Sequence, residues 1–432
     1  MKSIWNNEVN MPRFEPLNND IKTDVLIIGG GLCGILCAYM LDKVGIDYAL
    51  VEADKICMGV TNDTTAKITL QHGLIYDKII RKHGIEKAKH YYISQKKAFD
   101  KLTSVASEFD VDFEWCDAFV YSVNNKNLIE NEVAALNKIG CDAVCCSDTE
   151  LPFEVAGAAK IENQAKFHPL KFVRSIASDL KIYENTKVIE LKPHTALTNR
   201  GKINANKIIV ATHFPFINKH GSYFLKMYQH RSYVLALKNA KIMKNMYVDE
   251  AENGLSFRSH KDLLLLGGGG HRTGNKGGNW AVLESFAKQH FPNAEIVGKW
   301  ATQDCMTLDS VPYIGRYSES TPDLYVATGF NKWGITSSMA SAMILCDMIC
   351  KKANKCFDVY SPSRSIWHFQ LALNIFESAK GLIMPTTPRC PHMGCALKYN
   401  KEEHSWDCPC HGSRFGSDGN LINNPATDDM KK

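Results

Sequence analysis

Four residues near the carboxy terminus combine types and spacing that could do chemistry. Cys390 and His392 form a C-x-H pair, fifteen residues follow, and Cys408 and His411 form a C-x-x-H pair. Thiolates and imidazoles so closely spaced read as metal ligands. Two of each suit a tetrahedral zinc ion; they suit equally a [2Fe–2S] centre with two cysteines on one iron and two histidines on the other. Each pair is accompanied by a further cysteine, Cys395 and Cys410, and by a glycine, Gly394 and Gly412, that permits a tight turn. The remaining eleven cysteines are scattered, as expected of free and mostly buried thiols in a reducing compartment. Cys141, Cys145 and Cys146 lie close together in sequence, but no further ligand accompanies them.

A second pattern opens the chain. The apolar run Asp24-Val-Leu-Ile-Ile leads directly into Gly29-Gly-Gly31-Leu-Cys-Gly34, then into a segment of helical composition, Ile35–Leu41, and a second apolar run, Tyr48–Glu52. This order predicts strand, tight turn, helix and strand. Gly29 permits the turn, Gly31 lets the backbone approach a pyrophosphate, and Gly34 lets the helix pack closely on the sheet. The helix N-terminus then offers amide donors and a positive dipole to phosphates. Glu52, 18 residues after Gly34, stands where a carboxylate accepts both ribose hydroxyls. A dinucleotide site follows, without a choice between flavin and nicotinamide.

Two further segments bear on that choice. Lys207-Ile-Ile-Val-Ala211-Thr-His213 reads as a late strand of the same sheet, and Leu324-Tyr-Val-Ala-Thr-Gly329-Phe-Asn-Lys332-Trp-Gly334-Ile335-Thr336 reads as strand, glycine loop and helix. Between residues 24 and 355 the chain resembles the D-amino-acid oxidase/glycine oxidase superfamily of flavoproteins. That resemblance implies FAD as cofactor, with Ala211, Gly329, Gly334, Ile335 and Thr336 near it and the last helix N-terminus aimed at the flavin, where a positive end stabilises an anionic reduced ring. It also implies that the loop Gly59–Lys67 passes the pyrophosphate and isoalloxazine, with Thr64 or Thr65 touching the cofactor. Lys332 aligns with a basic residue that anchors a substrate carboxylate, and Arg231, Tyr233 and His271 are further candidates from the substrate domain, each more often structural than catalytic. The glycines of Leu263-Leu-Leu-Leu-Gly267-Gly-Gly-Gly270-His271-Arg-Thr-Gly274 are expected in a hairpin or loop, not in a second nucleotide site.

The carboxy-terminal motif resembles Rieske proteins of the cytochrome bc type. Both extra cysteines, both glycines and the closing run Asp418-Gly-Asn-Leu-Ile-Asn-Asn-Pro425-Ala have counterparts there. The resemblance implies a [2Fe–2S] cluster on Cys390, His392, Cys408 and His411, and a disulfide between Cys395 and Cys410. Two departures stand out. The strands that usually precede the first ligand loop are missing, so the oxidoreductase body is expected to supply the module's base. Phe415 also stands where the bc-type pattern has tyrosine, while Ser413 is kept.

These motifs need an α/β scaffold, α+β when the whole chain is counted. The expectation is a Rossmann-like FAD-binding domain with an inserted antiparallel-sheet substrate domain, followed by a small all-β cluster-binding module. Residues 1–20 form an N-terminal extension and 21–362 the oxidoreductase body. Within it the FAD-binding segments span about 21–73, 165–215 and 300–356, and the substrate domain about 74–164 and 216–299. Helical periodicity marks 74–105, a helix and linker occupy 363–389, and the cluster module is 390–432. With 45% hydrophobic and 22% charged residues and a net charge of +5, the composition is that of an ordinary globular protein without a basic block for nucleic acid. The first twenty residues lack the apolar core of a secretory signal, and Ile335–Cys350 is too interrupted by serines and Asp347 to span a membrane, so a cytoplasmic location is expected. The combined reading is an FAD-dependent oxidoreductase, acting on an amine or amino acid at CH–NH or CH–NH2, that passes electrons through the cluster to an external acceptor. The alternative is an electron-transfer protein reduced by a protein partner, without a small amine substrate.

Overall fold

The computed structural model describes residues 3–217, 220–277, 279–365, 371–372, 374, 382, 384 and 388–430. Strand β1 (Ile21–Ile28), helix α1 (Leu32–Lys43) and strand β2 (Tyr48–Val51) follow the spacing of the glycine motif. Further along come β3 (Lys202–Val210), β4 (Met227–Lys238), β5 (Leu263–Arg272), β6 (Glu295–Thr307), β7 (Leu324–Thr328) and helix α2 (Gly334–Ile349). The first sheet runs β7–β3–β1–β2, all parallel, with Tyr313–Arg316 antiparallel at one edge and Ile182–Tyr183 at the other. Helices α1 and α2 pack against each other over this sheet. Its central strands are buried on both faces, which is why Val25–Ile28 and Tyr48–Val51 are continuous apolar runs rather than alternating ones.

The second sheet is built around β6–β4–β5 and continues through Ser256–His260, Met246–Asp249, Glu114–Ser122, Gly157–Lys166 and Lys67–Ile68. Along that path it is antiparallel but for one pair, Met246–Asp249 with Glu114–Ser122. A parallel pair requires a long crossover, and here the chain passes through the first sheet between the two strands. The sequence-based boundaries need two corrections. Residues 300–307, grouped by sequence with the FAD-binding half, are the end of β6 and pair with β4 in the second sheet. Residues 165–166 and 67–68, likewise assigned to that half, pair with each other in the same sheet. A strand's partner, not its place between motifs, decides its sheet. The glycines 267–270 lie in strand β5, which forms an antiparallel hairpin with Ser256–His260, as the glycine-rich run led one to expect. A Cβ on Gly267 would sit 2.6 Å from Ser256 Oγ, and one on Gly270 would sit 2.9 Å from the Arg231 carbonyl oxygen, so the missing side chains let neighbouring strands approach.

The helical periodicity of 74–105 resolves into Ile75–His83 and Ile85–Ser107, separated at Gly84, whose φ of +84° few other residues adopt readily. The N-terminal extension is packed, not loose: Trp5 is fully buried, its indole N–H donates to the Thr64 carbonyl (2.8 Å), and its ring lies edge-on to His168 and His260. No helix among the described residues is long and apolar enough to cross a membrane.

Most of the helix and linker expected at 363–389 lies outside the described residues. Beyond it, β8 (Lys398–Asn400), β9 (Ser405–Asp407), β10 (Arg414–Gly416) and β11 (Leu421–Asn423) form a four-stranded antiparallel sheet. This small module rests on β4, β5 and β6. Gln303 Nε2 donates to the Gly412 carbonyl (2.9 Å), Arg272 donates to the carbonyls of Pro409 (3.3 Å) and Cys410 (3.1 Å), and Gln229 Nε2 donates to that of Asn424 (2.7 Å). From the module's side, Asn424 Nδ2 donates to the carbonyls of Thr212 and Phe214, both at 2.8 Å. Two glycines allow the close fit: a Cβ on Gly274 would fall 2.6 Å from Pro409 N, and one on Gly412 2.5 Å from Gln229 Cβ.

Candidate active site and cluster site

A cavity of about 810 Å³ is walled by both sheets and by the carboxy-terminal module. At the first sheet its lining includes Gly29, Gly31, Glu52 and Ala211. Gly34 stands behind this wall: a Cβ there would overlap the Gly29 carbonyl oxygen at 1.9 Å, so glycine is required for α1 to sit on the turn. A Cβ on Gly31 would meet no atom closer than 3.4 Å, and that open face is where a pyrophosphate has room to approach. Glu52 accepts from the Gly30 N–H (2.6 Å) with Oε2 and from the Asp54 N–H (3.0 Å) with Oε1. Burial raises its pKa while these backbone donors oppose the rise, and each oxygen keeps a lone pair for a ribose hydroxyl. These features fit the adenosine and pyrophosphate portions of FAD.

The loop after β2 departs from expectation in detail. Thr64 and Thr65 both line the cavity, but the Thr64 hydroxyl oxygen accepts from the Ala66 N–H and that of Thr65 from the Lys67 ammonium. Thr61, which the sequence reading passed over, accepts from the Leu32 N–H (3.0 Å) at the start of α1. Its only sequence signal is its place in a Thr-rich loop.

The other glycine loop closes the opposite wall. Gly329 has φ +72° and a Cβ there would meet Thr307 Cγ2 at 2.3 Å, so it lets the loop pass β6. Asn331 and Lys332 also lie in the left-handed region, at φ 50° and 72°. Strain of this kind, about 1–3 kcal/mol per residue, persists only where surrounding bonds hold it. Here Asn331 Oδ1 accepts from the Thr307 N–H (2.7 Å) and its Nδ2 donates to the Gly329 carbonyl (2.6 Å). Gly334 and Ile335 line the cavity at the N-terminus of α2, whose dipole gives that wall a positive end. Thr336 instead hydrogen-bonds the Thr69 carbonyl (2.9 Å) and is buried.

The four catalytic candidates separate. Lys332 lines the cavity and donates to the Glu252 carbonyl (3.0 Å); burial lowers its pKa, opposed by Asp304 and Glu252. Arg231 is instead ion-paired to Glu403 of the module. The Tyr233 hydroxyl bonds His271 Nε2 (2.9 Å) and Glu403 Oε1 (3.1 Å), and the His271 ring stacks on Tyr233 with Nδ1 on the Arg272 carbonyl. These three residues thus form an inter-domain network, although Tyr233 also borders the cavity. Asp304 of β6, absent from the sequence reading, lines the cavity instead. Nothing local in sequence marks it, because only the pairing of β6 with β4 turns it inward.

In the module, Cys390, Cys408, Cys395 and Cys410 are buried together with Leu397, Phe415 and Ala426. The rings of His392 and His411 stand 5.0 Å apart and nearly perpendicular. His411 is buried, and neither ring nitrogen has a hydrogen-bond partner among the described residues. An imidazole left so would be costly without a ligand, and with two buried thiols beside it the set fits two-iron ligation. Cys395 and Cys410, expected to form a disulfide, are both buried beside the ligand cysteines. Their Sγ atoms and that of Cys408 gather within 4.8 Å of one another, so the two ligand loops meet at these cysteines. No such grouping forms at Cys141, Cys145 and Cys146 among the described residues.

Comparison with known proteins matches this geometry. Residues 24–348 fit the family model of DAO, FAD dependent oxidoreductase, and residues 361–432 that of the Rieske [2Fe-2S] domain. The chain is 32% identical to a putative Rieske 2Fe-2S iron-sulfur protein, YhfW, of Bacillus subtilis, an alignment covering 100% of this chain and 97% of that one. Its fold is similar to L-proline dehydrogenase from P. horikoshii, with a TM-score of 0.67 at 18% identity over 79% of this chain and 97% of that one. It is also similar to glycine oxidase from Geobacillus kaustophilus, with a TM-score of 0.65 at 18% identity over 80% and 99%. The cavity, the orphaned histidine and the matched families lead to one conclusion: the chain belongs to the DAO family of FAD-dependent oxidoreductases and carries a Rieske [2Fe–2S] domain at its carboxy-terminal end.

Proposed function

We propose that the protein is an amine or amino-acid dehydrogenase in which electrons pass from the flavin site to the Rieske site and on to an external acceptor. FAD, when bound, supplies a hydride acceptor and converts a two-electron oxidation into one-electron transfers. Gly29, Gly31, Glu52, Ala211, Gly334 and Ile335 would hold it, and Cys390, His392, Cys408 and His411 would hold the cluster. The cavity's sheet wall orients the substrate, and the inward-facing Tyr233, Trp333 and Phe330 exclude water. The amine class rests on the named activities of the two fold relatives and on the charged groups at this wall.

The observation that carries the reading is the shared wall. Asn423, Asn424, Ala426 and Thr427 of the Rieske module line the same cavity as the dinucleotide turn. The loop bearing His411 is bonded to β5 and β6 through Arg272 and Gln303. The Rieske module is thus docked against the wall of the dinucleotide cavity. The test is anaerobic stopped-flow mixing with a panel of amines and amino acids, following flavin bleaching and then the cluster by EPR. Bleaching followed by a reduced-cluster signal is the expected result. Absence of bleaching with every amine, with rapid reduction by a protein donor, overturns it.

A further inference from the structure

Asp304 is a carboxylate without an evident structural task. It sits on β6 within the cavity wall, and its side chain makes no hydrogen bond or ion pair with another described residue. Lys332, from the glycine loop, lines the same cavity, yet the two are not in ion-pair contact. The other cation whose field reaches Asp304 is Arg231 on β4, which is held by Glu403. Glu252 lies beside Lys332, and Cys305 is the next residue along β6. Asp304 is half-buried and Lys332 is exposed to the cavity, so an acid and a base face one space without pairing with each other. A ligand carrying both signs would satisfy both.

We propose that Asp304 binds the substrate's ammonium group and accepts its proton, while Lys332 holds the substrate's carboxylate. This rests on the reading of the cavity as an amino-acid oxidation site and adds to it a second ligand-binding residue and a base. The balance is simple. The N–H bond breaks and its proton passes to the Asp304 carboxylate, giving a neutral amine and a carboxylic acid. FAD, when bound, would supply the acceptor for the hydride that leaves Cα with the Cα–H electron pair, and the nitrogen lone pair would form the C=N bond of an iminium product. Hydride loss requires the neutral amine, because an ammonium has no lone pair to give. Burial, opposed by Lys332 and Arg231, raises the Asp304 pKa to about 6, close enough to neutrality for a general base.

The experiment uses the FAD-loaded full chain and two unreactive ligands. 2-Aminoisobutyrate carries both charges but has no Cα–H, and isobutyrate lacks the amine. Binding is read from perturbation of flavin absorbance. In Asp304→Asn the affinity for 2-aminoisobutyrate is expected to fall at least tenfold with isobutyrate unchanged, while Lys332→Met weakens both. Equal binding of 2-aminoisobutyrate by wild type and Asp304→Asn, or no binding by wild type, overturns the proposal. Calorimetry of wild type in buffers of different ionisation enthalpy tests it without a variant. Below pH 6 Asp304 carries a proton that an incoming ammonium must expel, so close to one proton is released per site at pH 5 and none at pH 8. Release that does not change with pH overturns the proposal. The amine panel described above reports separately on the functional reading: if amines bleach the wild-type flavin while these tests fail, only the role of Asp304 falls.

Discussion

Arg231 and Glu403 tie the substrate sheet to the Rieske module. The guanidinium Nε donates to Glu403 Oε1 at 3.1 Å, Nη2 contacts Oε2 more tightly, and Arg414 Nη2 donates to Oε2 from the module's own side at 2.8 Å. The side chains of Arg231 and Glu403 are only 4% and 10% exposed. Burial alone would raise the Glu403 pKa, but the two guanidinium groups hold it below the usual carboxylate range. Removing one partner of such a buried pair leaves an uncompensated charge and costs about 3–5 kcal/mol. Glu403→Gln, which strips Arg231 of its carboxylate, is expected to destabilise by about that amount, Arg231→Met, which leaves Glu403 paired with Arg414, by less, and the double variant by less than the sum. Denaturant unfolding of the three variants measures this. A loss below about 1 kcal/mol in Glu403→Gln would show a solvent-screened pair. Because the folded pKa is lowered, this stability is present above the ordinary carboxylate pKa and is lost as pH falls through the folded value. The contact should therefore weaken only in acid below about pH 4.5.

The two ligand-loop glycines separate backbone strain from docking. Gly394 and Gly412 both have positive φ, 74° and 87°, but a Cβ at 394 would meet nothing within 4 Å while one at 412 would strike Gln229. Gly394→Ala should cost only the left-handed conformation, about 1–2 kcal/mol. Gly412→Ala should in addition push the His411 loop off β4 and break the Gln303 contact. The expected signature is near-normal cluster content and flavin-to-cluster transfer in the first variant, with slowed transfer in the second. Iron analysis and stopped-flow bleaching distinguish them; equal behaviour would mean that the loop does not need this seat.

Lys332 should act in binding and not in the hydride step. Its loop is fixed by Asn331 whatever the side chain at 332, so Lys332→Met is expected to leave the cavity wall in place. The apparent constant for a carboxylate-bearing substrate should then rise far more than the saturated rate of flavin reduction falls, as loss of uniform binding does. Unchanged affinity removes Lys332 from the site.

What sequence could show follows the range of the forces involved. The Gly29–Gly34 turn, the run of β2 and the Cys390–His411 spacing are local: covalent geometry over a few residues demands those residue types. The run Gly267–Gly270 signalled a hairpin, but not which neighbours its missing side chains admit, since Ser256 and the Arg231 carbonyl are placed there only by strand pairing. The partnership of Arg231 with Glu403 spans 172 residues, and neither residue signals it locally. Asp304 was missed for the same reason. Its alternation along β6 gains meaning only once β4 fixes which face is inward.

The last prediction concerns the cluster's potential. Hydrogen bonds to the ligand sulfurs and bridging sulfides disperse the charge added on reduction and raise the potential. Ser413 is buried, and its oxygen accepts from the Ala426 N–H (3.0 Å), which leaves the hydroxyl hydrogen free to point toward the cysteines; the group interacts with the Cys390 thiol. Phe415 is fully buried and packs in the same apolar cluster as all four cysteines, so its ring faces the site but offers no donor. One of two possible hydroxyl donors is thus present. Rieske potentials span about −150 to +300 mV, and this one is expected near the middle of that range. A hydrogen bond is worth about 0.5–1.5 kcal/mol, and ~1.4 kcal/mol corresponds to ~59 mV for one electron. Ser413→Ala should therefore lower the midpoint, and Phe415→Tyr raise it, by about 20–60 mV each. Redox titration followed by EPR reads both. A midpoint unmoved in Phe415→Tyr, with the cluster intact, would mean that a hydroxyl at this position does not reach a cluster sulfur, and that the ring serves only as packing beneath the ligand loops.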